Sequence, residues 1–190
     1  MRPGGVILAL AGVALVAAPF LWCARRGESI ESYGMSWKFS RKGVAECAAV
    51  TITVLAALTF VSMHWPGENL PRHSSLSRTF SMAINGVSAA IIEEVFFRGW
   101  IHTLFRKKLG AVAAIALTSA IFALCHVFVA QAVFIAAVFF PGCVMGMLRE
   151  RHGNISTSTL FHATANLWAI WFIPAHFPAF RDLMGIIMGG

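Results

Sequence analysis

From Leu109 to Leu148 the sequence runs forty residues without an Asp, Glu, Lys or Arg. As one helix that run would be about 60 Å long at 1.5 Å per residue, twice the roughly 30 Å hydrocarbon thickness of a bilayer. It must therefore fold back, and the polar Gln131 marks the expected turn. Pro141 and Gly142 then fall inside a helix, which is tolerated where neighbouring helices satisfy the freed backbone groups. Comparable apolar segments lie at about residues 6–22, 44–62, 79–97, 111–129, 131–148 and 155–173. They predict an all-α, polytopic transmembrane helix bundle of about six spans. A last apolar stretch, 177–190, is short and broken by Pro178, so it is read as a tail. Only 12% of residues are charged and the mean hydropathy is +0.73, against roughly 25% charged in a soluble domain. Six short-looped spans use up the 190 residues and leave no room for a soluble domain.

The formal charge of +7 does not point to nucleic acid, because the bases form no arm and no aromatic-interleaved patch. They gather between the apolar segments instead. Arg25, Arg26, Lys38, Arg41 and Lys42 fall in the first loop, Arg98, Arg106, Lys107 and Lys108 in the third, and Arg149 and Arg151 in the fifth. The opposite side receives Arg2, Arg72, Arg78 and Arg181. Eleven against four sets the loops that carry the eleven in the cytoplasm and both termini outside it. The first segment has the look of a signal peptide, but Arg25 and Arg26 follow it and no lipobox precedes Cys23, so a retained anchor is expected. Cys23, Cys47, Cys125 and Cys143 form no CxxC and read as small hydrophobes rather than a disulfide or zinc framework.

Against that background a few polar groups stand out, since an ionisable side chain inside a bilayer is costly and suggests function. They are Glu93, Glu94 and Arg98 at the end of the third segment, His126 in the fourth, and His162 and Asn166 in the sixth. Glu94, Arg98, His102 and Arg106 recur every four residues, which makes one polar stripe on a helix. Arg98 is the i,i+4 partner of Glu94 and is expected to commit it to an ion pair. Glu93 points roughly 100° away, lacks that cation, and is expected to sit in the drier place. Two adjacent carboxylates in different environments are a usual way to separate a base from a structural ion pair. If the third and fourth segments make a hairpin turning at Leu109 and Gly110, Glu93 and His126 lie equally far from the turn, about 24 Å, provided residues 98–108 continue the helix. His162 and Asn166, one turn apart, share a face.

These groups together resemble the CPBP family of intramembrane proteases, which takes in the type II CAAX prenyl endopeptidases and the Abi proteins. The family's EExxxR is similar to Glu93-Glu94-Val95-Phe96-Phe97-Arg98, followed by Gly99; its FxxxH to Phe122-Ala123-Leu124-Cys125-His126; its HxxxN to His162-Ala163-Thr164-Ala165-Asn166. Gly142, Gly146 and Arg149 look like its glycine-bearing helix. The resemblance covers about residues 79–170. It implies a four-helix catalytic core over 79–173, after two N-terminal helices in 1–78 and before the tail at 174–190. It also implies peptide-bond hydrolysis in the membrane, with Glu93 and His126 activating water and His162 and Asn166 stabilising the oxyanion. Glu94 and Arg98 would fix the helix end, and Phe122 would pack beside the site. No cofactor is implied. The substrate would be a membrane-anchored protein or peptide, and the setting a multi-pass protein of a bacterial cell membrane.

Three rival readings remain. Glu93, His126 and His162 could ligate zinc with an open water position, although no HExxH is present. Gly86-Val87-Ser88-Ala89 imitates part of a serine-nucleophile motif, but small residues in such helices usually serve packing. A self-immunity protein, a scaffold or a small transporter would use the buried charges without catalysis. His64, His73, His102, His152 and His176 are assigned to interfaces or loops.

Overall fold

The computed structural model describes residues 3–65, 69–126 and 132–174. Among these the chain is helical throughout, with no strand. Six helices follow in order: α1 Pro3–Arg26, α2 Arg41–Met63, α3 Leu76–Leu109, α4 Ala111–Cys125, α5 Ala132–His152 and α6 Ser156–Phe172. The expected turn at Gln131 and the tail at 177–190 lie outside the described residues. By length and composition α2 and α3 can each cross a membrane, and α4 is apolar but shorter.

α3 departs from expectation. The predicted segment stopped at residue 97, yet the helix continues to Leu109. Arg98 is therefore no loop cation, and His102 lies in the helix rather than in a loop; both side chains are buried within the bundle. Continuity is achieved through a wider stretch: Leu76–Glu93 is α-helical, Glu94–Ile101 is π-helical, and His102–Leu109 is α-helical again. The helix ends at Gly110, whose φ of 84° lies where an L side chain is strained.

The packing is inverted relative to a soluble protein. Polar and charged residues fill the interior: Glu94, Arg98, His102, Thr118, Ser119, Arg149, the run Ser156–Thr159, and His162. Large apolar residues face out, as in the stripe Leu76, Phe80, Ile84 and Ile91 along α3. Few polar side chains on these faces could satisfy water, so the outer surface suits lipid. A compact apolar cluster of Cys47, Phe97, Phe122, Met145, Leu148 and Phe161 knits α2 through α6 together. Of the cysteines, Cys23 and Cys47 are buried as expected, while Cys125 is exposed and Cys143 intermediate; all four are free.

The basic residues converge on one end. There Arg151 pairs with Glu46 at 2.7 Å, Arg106 with Glu150 at 2.9 Å, and Lys107 lies 4.3 Å over the Tyr33 ring. The α1–α2 connection tucks into this end, with Tyr33 and Met35 buried and the Ile155 amide bonded to the Gly34 carbonyl at 3.1 Å. Arg149, expected in a loop, is instead buried beneath that connection.

Candidate active site

Three helices bring the singled-out residues together. Glu93 and Glu94 come from α3 where its π-helical stretch begins, His126 closes α4, and His162 and Asn166 face inward from α6. The His162 ring stands between the two carboxylates: Nδ1 is 3.1 Å from Glu94 Oε1 and Nε2 is 3.6 Å from Glu93 Oε2. Phe122 spaces the imidazoles, edge-to-face with His126 at 4.8 Å and with His162 at 5.6 Å.

The two carboxylates differ, and in the opposite sense to the expected dryness. Glu94 has no exposed side-chain surface, whereas 27% of the Glu93 side chain is exposed. The i,i+4 partnership does form: Arg98 Nη1 is 3.1 Å from Glu94 Oε1. Arg98 also donates to the Gly142 carbonyl at 3.1 Å and lies 4.3 Å over the Phe122 ring. The pair is dry because α5 closes on it. A Cβ at Gly142 would stand 3.0 Å from Ser119 Cβ and 3.3 Å from Arg98 Nη2, so glycine is what lets α4 and α5 shut over the guanidinium. Glu93, one residue earlier, turns out of that seam and keeps an open side.

The hydrogen bonds fix what each histidine can do. His126 Nδ1 lies 2.8 Å from the Phe122 carbonyl, which can only accept, so Nδ1 carries the proton. Its Nε2 then offers a lone pair in the neutral ring. Asn166 donates one amide hydrogen to the Gly86 carbonyl at 2.9 Å and retains a second. A Cβ at Gly86 would come within 3.2 Å of Asn166 Cβ. Gly86 thus lies in the close contact of α3 with α6, whereas Ser88 is exposed. Among the described residues, no three His, Cys, Asp or Glu side chains are placed to hold one metal ion.

Sequence reading missed two things. One is the π-helical stretch, which no composition rule announces. The other is Arg149, counted as a surface base, which donates to the Arg98 carbonyl at 3.2 Å, the Tyr33 carbonyl at 3.2 Å and the Thr103 hydroxyl at 3.3 Å. A spacing signal was available: Arg149 lies seven residues after Gly142, two turns along the same face of α5.

Comparison with known protein families finds the type II CAAX prenyl endopeptidase Rce1-like family over residues 74–168, half the chain. The chain belongs to this family. The match contains all three motifs, the whole of α3, α4 and α5, and α6 as far as Trp168. Membership implies protease activity and, with the two long apolar helices, a membrane protein. No curated protein and no solved structure matches the chain.

Proposed function

We propose that this protein is an intramembrane endopeptidase that cuts a membrane-anchored protein near its C-terminus or anchor. The observation that carries the reading is the His162 ring held between Glu93 and Glu94, with His126 on the far side of Phe122. In this mechanism a water bound between Glu93 and His126 Nε2 attacks the scissile carbonyl carbon as Glu93 takes its proton. The carbonyl oxygen becomes an oxyanion, stabilised by the second Asn166 amide hydrogen and, where the substrate takes the place of Glu93 at Nε2, by His162. The proton then passes to the leaving nitrogen, the C–N bond breaks, and an acid and an amine result. Glu94 and Arg98 take no part in proton transfer; they hold His162 and the helix. The six helices are read as six crossings, with the basic end cytoplasmic in a bacterial cell membrane. Prenylated C-termini, peptide precursors and hydrophobic sorting tails are the substrate classes in keeping with this site.

The test is co-expression of the full chain with reporters bearing each class of C-terminal anchor. Wild type should release a shortened reporter, and Glu93→Gln should insert normally but release none. Processing at the wild-type rate by Glu93→Gln would refute the reading. Purified protein should also keep its activity in a chelator; stoichiometric zinc lost together with activity would replace the glutamic mechanism by a metal one.

A further inference from the structure

A π-helical stretch has to rejoin the α-helix, and the junction leaves one carbonyl without a partner in the ladder. Here the last five-residue bond runs from the His102 amide to the Phe97 carbonyl. From His102 onward the helix returns to the four-residue step, so the next amide reaches the Gly99 carbonyl. The carbonyl passed over belongs to Arg98. Buried backbone acceptors need partners, and this one lies in the interior of the bundle. Its partner is Arg149 Nε at 3.2 Å, from α5.

The surroundings are shaped for that guanidinium. Arg149 is 9% exposed, and its Nη2 also reaches the Tyr33 carbonyl and the Thr103 hydroxyl. Thr103 itself donates to the same Tyr33 carbonyl at 3.1 Å. Gly34, at φ 67°, leaves the space into which the Arg149 guanidinium projects; any Cβ there would overlap it. Three acceptors, and the space left at Gly34, thus converge from two parts of the chain on one side chain at the point where the ladder skips.

We infer that Arg149 is a positioning residue that caps the skipped Arg98 carbonyl, holds α3 in its π-helical register and so keeps the Arg98 side chain, with its Glu94 partner, docked against Gly142 of α5. The inference rests on the peptidase reading for its consequence, since Arg149 would act on the reaction only through Arg98, Glu94 and His162. Without the cap, the cheapest way to satisfy the carbonyl is for the stretch 94–101 to rewind as α-helix. That removes the extra residue from the turn and rotates the segment by roughly 100°, which takes the Arg98 side chain off the Gly142 carbonyl. A displacement of that kind near reacting groups can cost about 10²-fold in rate.

The experiment compares the full chain in lipid nanodiscs as wild type, Arg149→Met and Thr103→Val, reading kcat and KM for a cleaved anchor peptide alongside amide hydrogen exchange. Thr103→Val removes the hydroxyl's bonds to the Tyr33 carbonyl and to Arg149 and leaves the Arg98 cap. Arg149→Met should lower kcat by about 10²-fold with KM within a factor of two, and it should change exchange selectively in 94–103. Thr103→Val should lower the melting temperature and leave kcat and that exchange pattern unaltered. Equal kcat and equal exchange at 94–103 in Arg149→Met and wild type would overturn the inference. A wild type that cleaves nothing would refute the peptidase reading alone, while exchange at 94–103 would still decide whether Arg149 holds the register.

Discussion

The site has two halves built from neighbouring residues, and they are made differently. On one side Glu94, Arg98 and Gly142 form a closed knot in which the carboxylate and the guanidinium have no exposed surface. On the other, Glu93 keeps 27% of its side chain exposed and stands 3.6 Å from His162 Nε2. His162 belongs to both, with one ring nitrogen on each side. A buried ion pair is costly to make and more costly to break, so the closed half is suited to holding and poorly suited to moving protons. A carboxylate with an open side and two nearby imidazoles can bind water and give up a position to substrate. The division of labour between two consecutive glutamates follows from which of them faces the α5 seam.

Breaking the closed half should have the largest effect. Glu94→Ala strands Arg98 as an unpaired buried charge, and loss of one partner of such a pair costs about 3–5 kcal/mol; thermal melts in detergent and the yield of inserted protein should both drop sharply. Next is a cut on the open half: His126→Ala should reduce kcat by about 10²–10⁴-fold with a melting temperature close to wild type. Asn166→Ala should reduce kcat about 10²-fold if its free amide hydrogen serves the oxyanion, and it should also soften the α3–α6 contact at Gly86, visible as a smaller shift in melting temperature. Gly142→Ala sharpens the comparison without removing a polar group. It forces Ser119 and Arg98 apart, and overpacking of this kind costs about 1–3 kcal/mol, so stability should fall more than kcat.

The smallest expected effect lies outside both halves. Glu28 accepts a hydrogen bond from the Tyr33 hydroxyl, which with Arg26 and Lys107 holds its carboxyl below the usual range. A carboxylate whose folded-state value is depressed adds stability above its unfolded value and loses it as pH falls through the folded one. The melting temperature of wild type should therefore converge on that of Glu28→Gln as the solution is acidified, with the difference small at neutral pH because Glu28 is at the surface.

Much of this arrangement could be read before any coordinates. Helical spacing alone pairs Glu94 with Arg98 and stacks His162 over Asn166, because residues four apart share one face of a helix. The readings that failed depend on tertiary closure. Hydropathy windows ended α3 at residue 97 because Arg98 and the bases after it look like a cytoplasmic loop, whereas Arg98 is neutralised by Glu94 and shut in by Gly142. Arg149 read as a topology signal for the same reason: a window cannot distinguish a base in solvent from one wedged under a connection 116 residues away in the sequence. The expected dryness of Glu93 assumed that the residue without a cation is the buried one. In the fold the cation is itself buried, and its partner goes with it.

The central claim is that adjacent glutamates divide holding from chemistry, and the most direct test is to make Glu93→Gln and Glu94→Gln side by side and measure, for each, melting temperature and kcat on one cleaved anchor peptide. Glu93→Gln should melt near wild type and lose about 10²–10⁴-fold in kcat, while Glu94→Gln should lose several degrees of melting temperature and retain measurable cleavage in its folded fraction. The reverse pattern, with Glu94→Gln stable and inactive and Glu93→Gln active, would contradict the account.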